Sequence, residues 1–246
     1  MNDSTSYDDA FFDYVTRSAS RSASVITPIL HEVLEIRSVL DVGCGLGAWL
    51  KFWGALGIDD CMGLDGPHVD HSALLMDSNS FLVRDLVGPF HLDRKFDLVQ
   101  CLEVAEHLPA SSSESLIHSI VQHSEVVLFS AAPPGQGGHG HINEQPYEYW
   151  RKLFAAHQFM PYDFLRPMIF HSDEVDSWYR YNCFLYIKED RCKSIPPAVQ
   201  STRVPDEKCM ADISPQYYKI RKHVLRHLSP GAMTMIAKVK ERLTTR

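Results

Sequence analysis

The chain has 246 residues, 45% of them hydrophobic, enough for one α/β domain with an appendage or for two small domains. No apolar run reaches the length of a membrane span, and the polar, acidic start MNDSTSYDDAFFDY lacks the basic and apolar regions of a secretion signal, so a cytoplasmic protein is expected. The net charge of −7 is uneven: from Gln216 to Arg246 eight Lys/Arg face one acid, so the remainder carries twice the net negative charge of the whole. Nucleic acid is not expected to bind such an acidic body, although the basic tail remains available to a phosphate-bearing partner or a membrane surface.

In chain order, a polar, Ser-rich lead-in reaches residue 24, and Val25–Ile36 has helical apolar spacing. Five short apolar runs follow as candidate strands: Ser38–Val42, Cys61–Asp65, Phe81–Val83, Phe96–Leu102 and Glu125–Ala131. Helix-compatible stretches lie between them, Ala48–Leu56 and Ser113–His123 among them, and the alternation predicts a parallel sheet covered on both faces. Ala132–Gln145 is a Gly/Pro/His-rich loop after the fifth strand, at the edge where open α/β sheets collect ligands. Tyr147–His157 reads as a helix, and Tyr162–Leu165 and Cys183–Lys188 as two closing strands of a seven-stranded sheet. From Asp190 periodicity fades, and IPPAVQSTRVP reads as a linker. Two basic amphipathic helices, Tyr217–Leu228 and Ala232–Leu243, end the chain. The division expected is therefore 1–189 for the α/β domain with its helical lead-in, and 190–246 for the linker and helical extension. The six cysteines form no CxxC pair, which argues for reduced thiols rather than a zinc site.

The chemistry concentrates at Asp41-Val-Gly43-Cys44-Gly45-Leu-Gly47, between a strand and a helix. Glycines there let the backbone turn tightly and approach a ligand, and the helix start behind them offers free N–H groups. The spacing is not the GxGxxG of dinucleotide sites, and the carboxylate ahead of it suits a cationic ligand where it would repel a pyrophosphate. A generic nucleotide-binding sheet, such as that of a nicotinamide dehydrogenase, is the competing reading.

This segment resembles motif I of the class I S-adenosylmethionine-dependent methyltransferases, and further motifs follow in the family's order over roughly residues 37–188. The resemblance implies a Rossmann-like, seven-stranded, mostly parallel sheet with helices on both faces, here with a basic helical C-terminal extension. It implies that Asp41, Gly43, Cys44 and Gly45 surround S-adenosylmethionine, that Asp65 beside Gly66 binds its ribose hydroxyls, and that Asp85 and the Leu86 N–H hold its adenine, with Leu102 at the end of the fourth strand. Within FDLVQCLEVAEHLP, Glu103, Glu106 and His107 form E-x-x-E-H, a spacing that places all three on one face of a helical turn. Similar runs in the ubiquinone-pathway O-methyltransferases and the small-RNA 2′-O-methyltransferases hold magnesium or a similar ion, a later histidine completing the set. Here Mg2+ or Mn2+ would be held by Glu103, Glu106, His107 and a histidine of the later loop, His141 or else His139. In other relatives the histidine is a metal-free base or orienting group, and a third reading makes the acids a solvated helix start.

His107, His139 and His141 are thus the candidate bases for an acceptor proton, and Trp178–Asn182 is a candidate acceptor wall that could equally be core. The function expected is O-methylation of a small-molecule, sugar or glycan hydroxyl. RNA 2′-O-methylation and a non-catalytic binding subunit of the same fold are the alternatives.

Overall fold

The computed structural model describes residues 9–228 and 231–236, with side chains from residue 15. Seven strands form one sheet: β1 (Ser38–Val42), β2 (Asp60–Asp65), β3 (Phe81–Val83), β4 (Leu98–Leu102), β5 (Val126–Ser130), β6 (Phe159–Tyr162) and β7 (Phe184–Lys188). Their spatial order is β3-β2-β1-β4-β5-β7-β6; β7 alone runs antiparallel to both its neighbours. The order reverses between β1 and β4, which opens a crevice at the carboxyl ends of these strands. Both strands are buried along their whole length, as a sheet covered on two sides requires.

Alternate strand residues feed two cores. Val39, Leu98, Leu128 and Leu185 meet α1 (Asp9–Val33) and α2 (Ala48–Ala55) through Ala23, Ile26, Leu30 and Trp53. Leu40, Val99, Val127 and Phe129 meet α3 (Ser113–His123) and α4 (Tyr147–Ala155) through Ile117, Ile120, Trp150 and Phe154. The Trp53 indole donates to Gln100 Oε1 at 2.9 Å, which satisfies the carbonyl end of the one polar side chain of β4 inside the sheet. All six cysteines are free thiols, with Cys44, Cys101 and Cys183 buried.

Four expectations change. The Ser-rich lead-in is helical from Asp9, because Ala19, Ala23, Ile26 and Leu30 make one buried stripe, and the helix stops at Val33 rather than Ile36. Its Ser18 hydroxyl donates to Asp176 at 2.5 Å, which ties α1 to the start of α6 (Ser177–Asn182). The sixth strand ends where it was expected to begin: β6 pairs with β7 from Phe159 to Tyr162, while Leu165–Ile169 is a short helix, α5. Pro161 is tolerated because β6 is an edge strand.

The expected linker is fastened to the domain. Arg151 donates to the carbonyls of Lys208 (2.6 Å) and Pro205 (2.8 Å), and buried Arg166 to that of Ala211 (2.9 Å). Val199 and Met210, from α7 (Pro197–Gln200) and the loop beyond it, are buried among the core side chains. Hydrogen bonds from arginine to main chain leave no periodicity in the sequence.

The first basic helix, α8, spans Gln216–Leu225. Of the second, residues 231–236 are helical, and its remainder, 237–246, lies outside the described residues. Among the described residues no helix is long and apolar enough to cross a membrane.

Candidate active site

The loop after β1 is shaped by its main chain. Gly43 (φ 80°) lies against Val104: a Cβ there would come within 2.3 Å of Val104 Cγ2, so the position excludes any side chain on both counts. The Gly43 and Cys44 N–H groups donate to the Leu64 carbonyl at 2.8 and 3.1 Å, pinning the loop to β2. Asp65, the last residue of β2, accepts from the N–H groups of Gly45 (2.7 Å) and Gly66 (2.6 Å). A carboxylate offers about four lone-pair positions, so each oxygen keeps one for a ligand hydroxyl. Asp85, two residues beyond β3, is exposed and caps the Val87 N–H at 3.0 Å, while Leu86 is buried.

Asp41 sits within β1, buried, with Oδ2 lacking any partner. Burial pushes its carboxyl up to about 7; nearby Asp65 adds to this, and a hydrogen bond with Gln100 opposes it. Together with Leu102, these residues line a cavity of about 720 Å³ at the crevice.

The opposite wall of the same cavity is made by side chains. Glu103 has φ 55°, and its N–H donates to the Ser130 carbonyl at 3.0 Å, so the chain reverses direction at the end of β4. The E-x-x-E-H run is therefore not one helical face: a single 3-10 turn covers Ala105–His107, and Glu103 stands outside it. Glu103 Oε2 accepts from Gln136 Nε2 (2.6 Å), whose Oε1 accepts from Asn182 Nδ2 (2.7 Å), and the Tyr147 hydroxyl donates to Asn182 Oδ1 (2.8 Å). Glu106 is fully buried; Oε1 accepts from the Ala132 N–H at 3.2 Å, and Oε2 has no partner. Burial, and then the neighbouring Glu103, raise the Glu106 carboxyl well above the usual range.

His107 and His141 meet edge-on, with ring centroids 4.9 Å apart. Burial, and secondarily His141, lower His107 to about 3, which keeps its ring neutral. A hydrogen bond with the Gly140 backbone orients the His107 ring, leaving Nδ1 without a partner. His141 Nδ1 lies 2.9 Å from Glu144 Oε1, and Glu144 is held in turn by the N–H groups of Gly135 and Gly137, both at 2.7 Å. Ligand atoms of Glu106, His107 and His141 all lie within 4.8 Å of one another, a set that leaves out Glu103. His139 is buried on the same wall, outside that trio.

Every cofactor, metal and base candidate expected from the sequence thus borders one cavity. Trp178 and Tyr179 do line it, whereas Tyr181 and Asn182 pack behind. Missed were Gln136, which joins Glu103 to Asn182, and the contributions of α1 and α8: Thr16 and Ser18 from one end of the chain, Tyr218 and Arg221 from the other. A glutamine between glycines carries a faint local signal; residues about 200 positions apart in sequence carry none.

The crevice thus gathers acids at or near the ends of β1, β2 and β3 around a glycine turn. Residues 12–168 match the methyltransferase-domain family, and the chain belongs to that family, within the class I S-adenosylmethionine-dependent methyltransferases. No curated protein sequence matches the chain. Among solved structures, the sugar N-methyltransferase KedS8 from Streptoalloteichus sp. ATCC 53650 is similar with 17% identity over 76% of this chain and 95% of its own, at a TM-score of 0.59. DesVI from Streptomyces venezuelae is similar with 16% identity over 76% and 99%, TM-score 0.52. CalS10 from Micromonospora echinaspora, an amino pentose methyltransferase, is similar with 15% identity over 76% and 100%, TM-score 0.51. At such identities the likeness is one of fold.

Proposed function

We propose that the protein methylates a hydroxyl of a small-molecule, sugar or glycan acceptor. On this reading Asp65 binds the ribose hydroxyls of S-adenosylmethionine and Asp85 with the Leu86 N–H its adenine. Asp41, Gly43, Cys44, Gly45, Gly66 and Leu102 enclose the rest, the buried Asp41 carboxylate gaining a cationic partner.

The observation that carries the choice of a hydroxyl is the trio of Glu106, His107 and His141. Methyl transfer is an in-line displacement on an already activated donor, so the protein chiefly positions and desolvates. A hydroxyl must also lose its proton, which a neutral amine need not do before attack. The His141 imidazole can accept that proton, with His107 and His139 as the further candidates on the same wall. Glu144 fixes the orientation and tautomer of His141, as a base requires.

The same trio fits a divalent ion. Two buried atoms lack partners, Glu106 Oε2 and His107 Nδ1, and each imidazole is oriented from behind, by Glu144 or by the Gly140 backbone. Two imidazoles and one carboxylate suit Mn2+ better than Mg2+. When bound there, the ion would acidify and orient an acceptor hydroxyl. Glu103 is engaged by Gln136 and serves as support behind the ligand set rather than as a member of it.

An amine acceptor is the second reading, favoured by the buried Glu103–Glu106 carboxyls, which would hold an ammonium. Methyl-labelled S-adenosylmethionine offered with matched hydroxy and amino sugars separates the two. Label on oxygen supports the proposal, and label confined to nitrogen overturns it.

A further inference from the structure

The segment matched to the family ends at residue 168, yet the cavity does not. Tyr218, Arg221 and Leu225 of α8 lie along its rim at helical spacing, and Met233 continues the row. The helix is seated firmly. Lys222 is buried and its Nζ lies 2.6 Å from Asp212 Oδ2; the Ser177 hydroxyl, at the start of α6, reaches the Tyr218 hydroxyl at 3.3 Å. The charge of Lys222 is therefore spent within the protein.

That of Arg221 is not. Its Nη1 donates to a neutral acceptor, the Gln136 carbonyl, at 2.9 Å, and among the described residues no carboxylate lies within ion-pair distance of it. A guanidinium carries five N–H donors in a fixed fork and stays charged at any working pH. The bond to Gln136 uses one of them and aims the group beside the Gln136–His141 segment that carries the acceptor-side histidine. Tyr218 lies under the guanidinium, 5.6 Å from ring centroid to Cζ, and Trp178 lines the same cavity from α6. Flat aromatic surface beside a half-committed arginine suits a ring that bears a carboxylate or phosphate.

We propose that Arg221, with Tyr218 and Trp178, forms an acceptor subsite for an oxyanion, so that the molecule methylated is an acidic sugar or a similarly sized acidic ring compound. This rests on the cavity being the methyl-transfer site. It places acceptor choice in the C-terminal extension, outside the segment that the family match covers.

The test uses the full chain saturated with S-adenosylhomocysteine and titrated with glucuronate, glucose 6-phosphate and glucose, followed by saturation-transfer NMR. At least one of the two anions is expected to bind about tenfold or more tightly than glucose, with affinity falling as salt is added. Which anion gains more identifies carboxylate or phosphate as the group read. Arg221→Gln is expected to erase the preference and Arg221→Lys to keep part of it, with S-adenosylhomocysteine affinity unchanged in both. Equal binding of the three sugars by the native protein, absent binding included, overturns the proposal, as does a preference that survives Arg221→Gln. Failure of the native protein to bind S-adenosylhomocysteine at all would instead overturn the cofactor reading.

Discussion

The two walls of the cavity are built on opposite plans. The wall proposed to hold the methyl donor is main chain and local: Gly43, Cys44, Gly45 and Gly66 are fixed by N–H bonds to Leu64 and Asp65, all close to the ends of two adjacent strands. The wall proposed to face the acceptor is side chain and distant: Glu103, Gln136, Asn182 and Tyr147 interlock, and Arg221 joins at Gln136. A donor shared across a family can be held by geometry intrinsic to a strand–turn–helix unit. An acceptor peculiar to one protein is read by groups brought together only on folding, and such groups can change without disturbing the turn.

The plan predicts that the walls fail separately. The largest effect is expected from chelation: activity should vanish with a strong chelator and return with Mn2+, whereas full activity in chelator would remove the metal role and leave the histidines as bases. Next, His141→Ala should lower kcat by about 10²- to 10⁴-fold while S-adenosylmethionine affinity, measured by calorimetry, stays within about twofold. If both fall together, the walls are not independent.

Gly43→Ala should do the reverse. A non-glycine residue at this φ, against Val104, costs about 1–3 kcal/mol, or roughly ten- to a hundredfold in cofactor affinity. An unchanged dissociation constant would show that the loop tolerates a side chain.

The smallest effect appears only as a pH dependence. The folded protein raises Asp41 from 3.8 to about 7, so between those values it binds a proton that the unfolded chain releases. Stability from this group is full below about pH 4 and is lost as pH rises towards 7, a decline of order a few kcal/mol. Asp41→Asn, uncharged throughout, should flatten the decline in thermal unfolding, and saturating S-adenosylmethionine should reduce it in the native protein. A decline identical in the variant would assign it to another group.

The same contrast explains what the sequence disclosed. Ser38–Val42, Phe81–Val83 and Ser113–His123 have the bounds expected, because each is a short element whose ends are set by its own apolar residues. The glycine turn, the acid that ends β2 and the acid beyond β3 were legible for the same reason. The bounds of β6 were not: Phe159–Tyr162 is a strand because it lies beside Phe184–Lys188, and Leu165–Ile169, equally apolar, is a helix. Glu103–His107 has helical spacing, yet Glu103 adopts φ 55° to meet Ser130, a contact 27 residues away. The segment after Asp190 looked unanchored because its anchors, Arg151 and Arg166, lie in earlier elements.

One junction links the ends of this design. Gly135 (φ 85°) has no room for a Cβ, since the Lys222 carbonyl oxygen would stand only 2.0 Å from it. The glycine-rich loop and the C-terminal helix are dovetailed there, and Arg221 clasps the next residue, Gln136. The two ends of the cavity rim are therefore one joint, and a substitution that displaces the helix carries Gln136 and the glycine-rich loop with it.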